Sequence, residues 1–371
     1  MRRPIRYPGR ALAAALLAVS IAVPASLPPV AKAESTTTES VAPVRPEVIA
    51  HRGASAYIPE HTLAAYAMAY AMGADWIEPD VVMTRDGALI CGHEITLEQT
   101  TNVVEVFPAR SRRNGSYYVI DFTLEEITEL ERIGRADGVG PRIPGHGVPS
   151  LKELLELIKA LNERTGRNVG VIPEIKDPDF HRKHGTPLEP ALVRLLGNYG
   201  YSTAEDRAVI QSFDPWSLRA LRETVKTDLR LVYLSSQPIP DIVLDQVAGY
   251  CDGIGPKHTL LAERDGNAWR PTGLADRIRA RGMTIWPWTF DGDTLAVGRF
   301  LAAVPVDGFF TDFPDKGVAA ADLIGFENDP AAAADDADEQ RRLNREAADY
   351  IRRWSDANEE PPTDPTSPVG P

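Results

Sequence analysis

Three acidic residues lie within two apolar, strand-like stretches of the chain. Glu78 and Asp80 are separated by one residue, and Glu174 lies in the stretch Val169–Ile175. Side chains two apart on a strand share a face, and acids in a strand buried on both sides need a compensating charge. Three carboxylates converging at strand ends make an oxygen site for a hard cation. We therefore predict that Glu78, Asp80 and Glu174 bind one divalent cation, Ca²⁺ or Mg²⁺, and no thiolate or histidine cluster indicates zinc.

Two histidines and two basic residues accompany these carboxylates. His51 and Arg52 end the first strand-like stretch, His93 follows a predicted hairpin, and Lys176 closely follows Glu174. Cleavage of a P–O bond requires a deprotonated nucleophile and a protonated leaving oxygen, and His51 and His93 are the candidate acid–base pair. The metal, Arg52 and Lys176 would neutralise the phosphoryl oxygens. Taken alone, His51-Arg52 is also consistent with a structural histidine beside a surface arginine.

The dipeptide Asp86-Gly87 predicts how His93 reaches the carboxylates. It is a strong signal for a two-residue hairpin turn. A hairpin with this turn puts His93 directly opposite Asp80, with Glu78 diagonal to it on the same face. The prediction depends on register, because a slip of one residue would turn His93 to the other face.

Aromatic residues cluster near two further strand ends. Phe213 ends the fourth strand-like stretch, and Trp286, Trp288 and Phe290 alternate on one face of the seventh. Packing in the core explains Trp286. Phe213, Trp288 and Phe290 lie nearer the strand ends, and we consider them as an apolar wall for a small alcohol group, with core packing as the alternative.

Two residues are interpreted as supporting groups. Asp312 ends the last strand-like stretch and is a candidate partner for a site residue. His61 stands beside a helix start, where it is expected to position structure rather than to react.

The elements that must position these residues alternate along the chain. Eight stretches have the composition of strands: Val48–His51, Trp76–Val82, Val169–Ile175, Ala208–Phe213, Leu229–Leu234, Gly253–Gly255, Thr284–Phe290 and Gly308–Thr311. Helical patterns fall between most of them, which predicts an α/β fold, a (β/α)8 barrel of the TIM type. A doubly wound open sheet is the alternative. Residues 95–150 are predicted to be a long insertion after the hairpin near the second strand, covering the site.

The two ends of the chain differ from the middle. A basic stretch, an apolar run and the small residues around Ala33 predict a signal peptide over residues 1–33, hence an exported protein, secreted or associated with the cell envelope. Residues 34–46 are interpreted as a flexible lead-in, 47–326 as the barrel, and 327–371 as an acidic, mostly disordered tail that includes a candidate helix over 337–354. Cys91 and Cys251 are interpreted as separate buried thiols, although export would permit a disulfide.

Charge and hydropathy exclude several classes of partner. Loss of the five positive charges of residues 1–33 changes the formal net charge from −13 to −18. A chain this acidic repels a phosphate backbone, so nucleic-acid binding is not expected. No segment outside the predicted signal is long and apolar enough for stable membrane insertion. Nothing in the sequence predicts an oligomeric state.

The order of these motifs resembles the glycerophosphodiester phosphodiesterase family, in the form of its exported bacterial members. The likeness covers residues 47–317 and rests on these segments: His51-Arg52-Gly53-Ala54-Ser55, Pro59-Glu60-His61-Thr62, Glu78-x-Asp80, the His93 hairpin, Pro173-Glu174-Ile175-Lys176, Phe180-His181, Gln211-Ser212-Phe213-Asp214, Trp288-Thr289, Asp307-Gly308 and Thr311-Asp312. The resemblance implies a TIM-type barrel that hydrolyses small glycerophosphodiesters to an alcohol and sn-glycerol 3-phosphate. It also implies a divalent cation, with Ca²⁺ favoured.

The resemblance also implies roles for individual residues. The two family histidines fall on His51 and His93, and the phosphate-binding cations fall on Arg52 and Lys176. The metal carboxylates fall on Glu78, Asp80 and Glu174. Two positions depart from the family pattern, because Glu94 replaces the usual aspartate after the second histidine and Pro79 separates the two acids.

Two other functions remain open at this stage. One is phospholipase D-like activity on lysophospholipid or sphingolipid head groups, which would require an exposed apolar rim on the insertion. The candidate rim residues are Val103, Val104, Val106, Phe107, Tyr117 and Tyr118. The other is a non-catalytic exported binding protein that keeps the fold, although it would be expected to have lost at least one of the required groups.

Overall fold

Short strands alternate with helices in the computed structural model, which describes residues 45–138, 140–326 and 342. The strands are β1 Glu47–His51, β2 Trp76–Glu78, β3 Asp80–Met83, β4 Leu89–Cys91, β5 Gly170–Val171, β6 Glu174–Ile175, β7 Val209–Ser212, β8 Arg230–Ser235, β9 Gly253–Pro256, β10 Ala262–Asp265, β11 Ala268–Pro271, β12 Thr284–Ile285 and β13 Gly308–Thr311. The helices are α1 Leu63–Ala71, α2 Val103–Val106, α3 Leu124–Thr128, α4 Leu151–Thr165, α5 Pro178–Lys183, α6 Leu188–Asn198, α7 Pro215–Ala220, α8 Asp241–Val247, α9 Leu274–Arg279, α10 Thr294–Ala303 and α11 Pro314–Phe326.

Local sequence signals explain several helix boundaries. Thr62 accepts a hydrogen bond from the backbone N–H of Ala65 and caps α1. Ser150 and Glu153 form a reciprocal capping box at the start of α4, which ends at Gly166 in the left-handed conformation. None of the helices in the described ranges has the length and apolar character that a membrane crossing requires.

The strands follow one another in the order of a (β/α)8 barrel. Parallel pairing runs β13-β1-β2-β5 in one sheet and β12-β9-β8-β7-β6-β3 in the other, with β4 antiparallel on β3. Only Pro79 separates β2 from β3, and two residues separate β5 from β6, so the described residues contain eight parallel runs. Phe290 N–H donates to Phe310 at 2.8 Å and Phe310 N–H donates to Pro287 at 2.9 Å, which joins the segment after β12 to β13. These bonds favour the predicted barrel over the doubly wound sheet.

Side chains point alternately to the two faces of each strand, and the apolar ones form two separate layers. One layer lies between strands and helices. The other fills the barrel interior and consists of Ile49, Trp76, Ile172, Val209, Val232, Leu234, Trp286 and Phe310. Because side chains two apart on a strand face the same side, the next interior positions after Ile49, Trp76, Ile172 and Val209 are His51, Glu78, Glu174 and Gln211. The polar site therefore lies directly above the apolar interior, at the carboxyl ends of the strands.

The hairpin register differs from the predicted one by one residue. Val81 pairs with Cys91 and Val82 with Ile90, so Gly92 rather than His93 lies opposite Asp80. The backbone N–H of Gly92 donates to Asp80 at 2.9 Å. The turn contains three residues ending at Gly87, whose φ of +84° only glycine adopts readily, and Asp-Gly suits both turn lengths. His93 still reaches the site because it lies beyond the end of β4, where strand alternation no longer fixes its direction.

The predicted insertion has an apolar core of its own. This insertion core consists of Val82, Ile90, Leu97, Val103, Tyr117, Val119, Phe122, Ile127, Leu130 and Val148. Val82 and Ile90 come from the β3–β4 hairpin, whereas their strand neighbours Val81 and Cys91 belong to the layer between strands and helices. The hairpin therefore packs against the barrel on one face and against the insertion on the other.

One element was missed by the sequence analysis. Strands β10 and β11 pair antiparallel around Gly266-Asn267, a dipeptide typical of two-residue hairpins. The flanking residues are mostly exposed and polar, so no apolar alternation marks the strands.

The ends of the chain and the thiols complete the description. Cys91 and Cys251 are buried and unpaired with each other, as predicted. Residues 1–33, most of the lead-in and, apart from residue 342, the tail with its candidate helix lie outside the described residues.

The described end of the lead-in contacts the barrel. Arg45 bonds to Asp75 at 3.0 Å and to Asp322 at 2.8 Å.

Candidate active site

A cavity of about 240 Å³ opens at the carboxyl ends of the barrel strands. It brings together most of the predicted site residues: His51, Arg52, Glu78, His93, Glu174, Lys176, Phe213 and Trp288. The other residues that line it are Arg135, Gln211, Leu234, Thr289 and Phe310. The lining therefore combines charged groups with an apolar wall, as a phosphate ester with an organic head group would require.

The three predicted carboxylates form one buried cluster. One oxygen from each of Glu78, Asp80 and Glu174 lies within 4.8 Å of the other two. Burial and the charges of Asp80 and Glu174 raise the pKa of Glu78 well above its usual range. Burial likewise raises the pKa of Glu174 to about 7, although Lys176 opposes the change.

Asp80 behaves differently from its two neighbours. Burial alone would raise its pKa, but Lys176 and Arg52 outweigh burial and hold the pKa of Asp80 well below its usual range. Two carboxyl groups of the cluster, Glu78 and Glu174, have raised pKa values beside the ionised Asp80, which indicates that the cluster lacks positive charge. A divalent cation would supply that charge. The all-oxygen donor set fits a hard cation such as Ca²⁺ or Mg²⁺.

His51 is held by a carboxylate at the end of the last barrel strand. Its Nδ1 bonds to Oδ1 of Asp312 at 2.6 Å, and the hydroxyl of Ser55 donates to the same oxygen at 2.9 Å. Burial and the charge of Arg52 lower the pKa of His51, although Asp312 opposes the change. Since Nδ1 is engaged, Nε2 is the nitrogen left for a reacting group.

Arg52 links the first strand to the carboxylate cluster. It has a left-handed backbone with φ of +59°, and its N–H donates to Glu78 at 2.8 Å. Its guanidinium donates to Glu60 at 2.8 Å, and Nε lies 3.2 Å from Oδ2 of Asp80. Asp80, Glu60 and Glu78 together outweigh burial and raise the pKa of Arg52, so the cation stays charged.

His61 supports the cluster from outside the cavity lining. Its Nε2 bonds to Oδ2 of Asp80 at 2.9 Å, and its Nδ1 bonds to the hydroxyl of Tyr66 at 2.8 Å. Burial lowers the pKa of His61 to about 4, although Asp80 opposes the change. A neutral, fully buried ring with both nitrogens bonded orients a carboxylate, in line with the positioning role predicted for it.

Lys176 provides another cation of the cavity. Its Nζ donates to Glu174 at 2.8 Å and lies 3.8 Å from Asp80. Burial would lower its pKa, but Asp80 and Glu174 outweigh burial and raise it. Lys176 therefore carries a full positive charge beside the proposed metal ligands.

His93 stands on the hairpin side of the cavity, paired with the residue that departs from the family pattern. Its Nδ1 bonds to Oε1 of Glu94 at 2.5 Å. The hydrogen bond from His93 lowers the pKa of Glu94. The longer glutamate side chain thus reaches the imidazole of its own neighbour, and Nε2 of His93 is left for a reacting group. Buried Arg132 of the insertion donates to the carbonyl of Cys91, two residues before His93.

The three aromatic candidates have different positions. Trp288 and Phe213 meet edge to face, with ring centroids 5.4 Å apart, and Phe213 is 40% exposed at the cavity mouth. The indole N–H of Trp288 donates to Gly255 at 2.7 Å, which fixes the ring. Phe290 is not brought to the cavity, because it packs against Phe300 at 4.9 Å between ring centroids. The alternation that puts Phe290 on the face of Trp288 does not continue through the irregular segment after β12.

Three residues of the site were not assigned by sequence reasoning. Gln211 donates to Glu78 at 3.3 Å, and its other amide atom has no partner among the described residues. Gln211 could have been identified from the sequence, because it lies two residues after the interior residue Val209 on β7 and so faces the same side of the strand. Arg135 had no local signal, because its partner Asp312 is 177 residues away in the sequence. Glu60 lies in the loop before α1, where no strand or helix periodicity indicates the direction of a side chain.

The predicted apolar rim is mostly turned inward. Val103 and Tyr117 are buried in the insertion core, and Val106 and Phe107 pack against it. Tyr118 stacks on Phe180 with ring centroids 5.5 Å apart. Of these residues, only Val104 is largely exposed, at 49%. The described residues of the insertion therefore form no exposed apolar rim that would favour an acylated substrate over a small one.

Fold and site together define a class of enzyme: a phosphoric ester hydrolase built on a (β/α)8 barrel, with buried carboxylates suited to a divalent metal. Comparison with known proteins gives the family. Residues 51–316 match the model of the glycerophosphoryl diester phosphodiesterase family, and the chain belongs to this family. It is accordingly a phosphoric diester hydrolase that acts on glycerophosphodiesters.

Individual relatives agree with this assignment. A glycerophosphodiester phosphodiesterase of Haemophilus influenzae is 32% identical over 323 residues, which cover 73% of this chain and 88% of the relative. The corresponding enzyme of Treponema pallidum is 31% identical over 324 residues, covering 73% of this chain and 90% of its own. A crystal structure of a glycerophosphodiester phosphodiesterase from Agrobacterium tumefaciens superimposes with a TM-score of 0.55 at 25% identity, covering 74% of this chain and 99% of that structure.

Proposed function

We propose that this enzyme hydrolyses glycerophosphodiesters to an alcohol and sn-glycerol 3-phosphate with His51 and His93 as its acid–base pair. The observation that carries the proposal is the shared cavity. Both histidines line it, and each bonds a carboxylate through Nδ1. Two carboxylates of the cluster, Glu78 and Glu174, belong to the same lining, as do Arg52 and Lys176. Imidazoles oriented through one nitrogen present the other to a substrate.

The protonation state of His51 supports a division of labour between the two rings. The lowered pKa of His51 keeps that ring neutral near pH 7, so its Nε2 can accept a proton from the nucleophilic oxygen. His93 would then deliver a proton to the leaving alcohol oxygen. The nucleophile is either water or the neighbouring hydroxyl of the glycerol, in which case water opens the resulting cyclic phosphate in a second step.

Glu78, Asp80 and Glu174 would hold one divalent cation, and we favour Ca²⁺. Three carboxylates and open space for further oxygen ligands suit the high and flexible coordination number of Ca²⁺. When bound, a divalent cation polarises a phosphoryl oxygen and offsets the charge that develops on it.

Arg52 and Lys176 would bind the remaining phosphate oxygens. Both stay charged, both lie beside the carboxylate cluster, and both line the cavity. Phe213 and Trp288 would contact the apolar part of the alcohol. The role in substrate binding proposed from the sequence for Phe290 has no such support, because its ring packs away from the cavity.

The first test measures release of glycerol 3-phosphate from glycerophosphocholine and glycerophosphoethanolamine. His51→Asn and His93→Asn should each lower kcat by about 10²–10⁴-fold, because each removes a proton-transfer group. His184→Asn, an exposed histidine of the same chain, is the matched control and should retain wild-type turnover. Wild-type turnover in both His51→Asn and His93→Asn would refute the acid–base assignment.

The second test addresses the metal and the substrate. After removal of metal with a chelator, Ca²⁺ should restore turnover more fully than Mg²⁺, and the reverse result would refute the assignment of Ca²⁺. Lysophosphatidylcholine and a lysosphingolipid, offered under the same conditions, should be poorer substrates. Faster release of head group from either lipid would support the phospholipase D-like alternative, and binding without turnover of any diester would support a binding protein.

We further propose that the protein is exported, with cleavage after Ala33, a barrel domain over residues 47–326 and an acidic tail over 327–371. The support is the order of basic, apolar and small residues at the start of the chain. Expression with and without residues 1–33, followed by fractionation and N-terminal sequencing, tests it. Retention of the full-length protein in the cytoplasm would refute export.

A further inference from the structure

Arg135 belongs to the insertion, yet its side chain lines the active-site cavity. The guanidinium is largely buried and lies between the carboxylates of Asp312 and Glu60. Each of these carboxylates holds a residue of the proposed reaction, because Asp312 bonds His51 and Glu60 bonds Arg52. One side chain of the insertion therefore contacts the supports of two residues on the barrel.

The contact with Asp312 divides the carboxylate between two partners. Nη1 of Arg135 donates to Oδ2 of Asp312 at 3.1 Å, while Oδ1 bonds to Nδ1 of His51 at 2.6 Å. Because each oxygen has its own charged or polar partner, rotation of the carboxylate would break both contacts. The ring of His51 is thereby fixed in the orientation that directs Nε2 to the cavity.

The other contacts fix the guanidinium itself. Its Nε lies 3.5 Å from Oε2 of Glu60, the oxygen that accepts from Arg52 at 2.8 Å. Its Nη2 donates to Asp137 of the same loop at 3.1 Å. A planar fork with several donors can hold three carboxylates at once, whereas the single ammonium of a lysine lacks this geometry.

We propose that Arg135 is a positioning residue that acts on turnover through Asp312 and His51, so that the insertion takes part in assembling the active site. The inference rests on the acid–base role proposed for His51. Loss of the guanidinium leaves Oδ2 of Asp312 without its cationic partner and lets the carboxylate and the imidazole shift together. Small displacements of a proton-transfer group lower turnover without weakening substrate binding to the same extent.

The test is a double-mutant cycle on glycerophosphocholine hydrolysis at saturating Ca²⁺. Arg135→Met should lower kcat on the order of 10- to 100-fold, with KM changed less than about threefold. In a chain that already carries Asp312→Asn, the same change should lower kcat by less than about threefold, because Asp312, through which Arg135 acts, has already been changed. Arg113→Met, an exposed arginine of the same insertion, should leave kcat, KM and Tm unchanged.

Three other results would overturn the inference. A large rise in KM with kcat retained would make Arg135 a substrate contact. Equal losses of kcat in the wild-type and Asp312→Asn backgrounds would show that it does not act through Asp312. A lowered Tm with normal kcat of the folded protein would make its role one of stability alone.

The inference and the proposed function fail in distinguishable ways. His51→Asn is assayed beside the cycle. If His51→Asn retains turnover, the acid–base assignment falls, and the inference falls with it. If His51→Asn is inactive while Arg135→Met has normal kcat, only the role of Arg135 is overturned.

Discussion

The protonation of the carboxylate cluster predicts that the affinity of the enzyme for Ca²⁺ rises with pH. The perturbation is a change from pH 6 to pH 8. Burial raises the pKa of Glu174 to about 7, so this group carries a proton over the lower part of that range. A carboxylate must lose its proton before it can ligate a cation, so protons and Ca²⁺ compete for the site.

The size of the effect follows from that pKa. With a pKa of about 7, roughly 10% of Glu174 is ionised at pH 6 and roughly 90% at pH 8, which gives a gain in affinity of about tenfold. Burial and neighbouring carboxylates also raise the pKa of Glu78, and release of its proton adds to the dependence. The expected gain in affinity is therefore on the order of tenfold from Glu174, with a further contribution from Glu78.

Isothermal titration calorimetry in two buffers of different ionisation enthalpy measures both the affinity and the protons released. With a pKa of about 7, about half of Glu174 is protonated at pH 7, so Glu174→Gln should lower the release at that pH by about half a proton per Ca²⁺ bound. Glu125→Gln, an exposed glutamate of α3, is the matched control and should change neither quantity. An affinity that is constant or falls between pH 6 and pH 8 would refute the reasoning, as would an unchanged proton count in Glu174→Gln.

Two further predictions concern stability and are measured by urea unfolding. Gly170→Ala would put a Cβ 2.3 Å from the ring of buried Trp76, and overpacking of this kind should lower the free energy of unfolding by about 1–3 kcal/mol. Gly197→Ala in α6, where a Cβ meets nothing within 4 Å, should not lower it. Equal effects of the two changes would contradict the packing argument. Phe122→Ala removes a fully buried ring from the insertion core and should lower the free energy of unfolding by about 3–5 kcal/mol. Val104→Ala, at an exposed position, should change it little. A decrease of less than about 1 kcal/mol for Phe122→Ala would contradict the assignment of that core.

The barrel strands and the carboxylate cluster were predictable because they depend on local alternation. Polar residues one step beyond apolar ones on the same strand face mark the carboxyl end of a barrel strand, which is how Glu78 and Glu174 could be brought together from sequence. Pro79 did not disturb this arrangement. Pro79 separates β2 from β3 along the chain, and the acids on either side of it still reach one cluster.

Features that depend on turn geometry or on partners distant in the sequence were harder to predict from the sequence. Asp86-Gly87 suits turns of two and of three residues, so composition alone did not fix the register of the hairpin. The bond that Arg135 donates to Asp312 joins segments 177 residues apart, whose approach is set by the complete barrel. No spacing along the chain encodes such contacts, and only the assembled fold reveals them.

The two-sided packing of the β3–β4 hairpin links catalysis to the cooperativity of unfolding. Asp80 begins this hairpin and His93 follows it, while Val82 and Ile90 on one of its faces complete the insertion core. Opening of the insertion would expose that face, so the insertion and the hairpin should unfold as one local unit. The proposed metal ligand Asp80 and the proposed proton donor His93 would then be lost in the same step, and the temperature of inactivation would follow the insertion rather than the rest of the barrel.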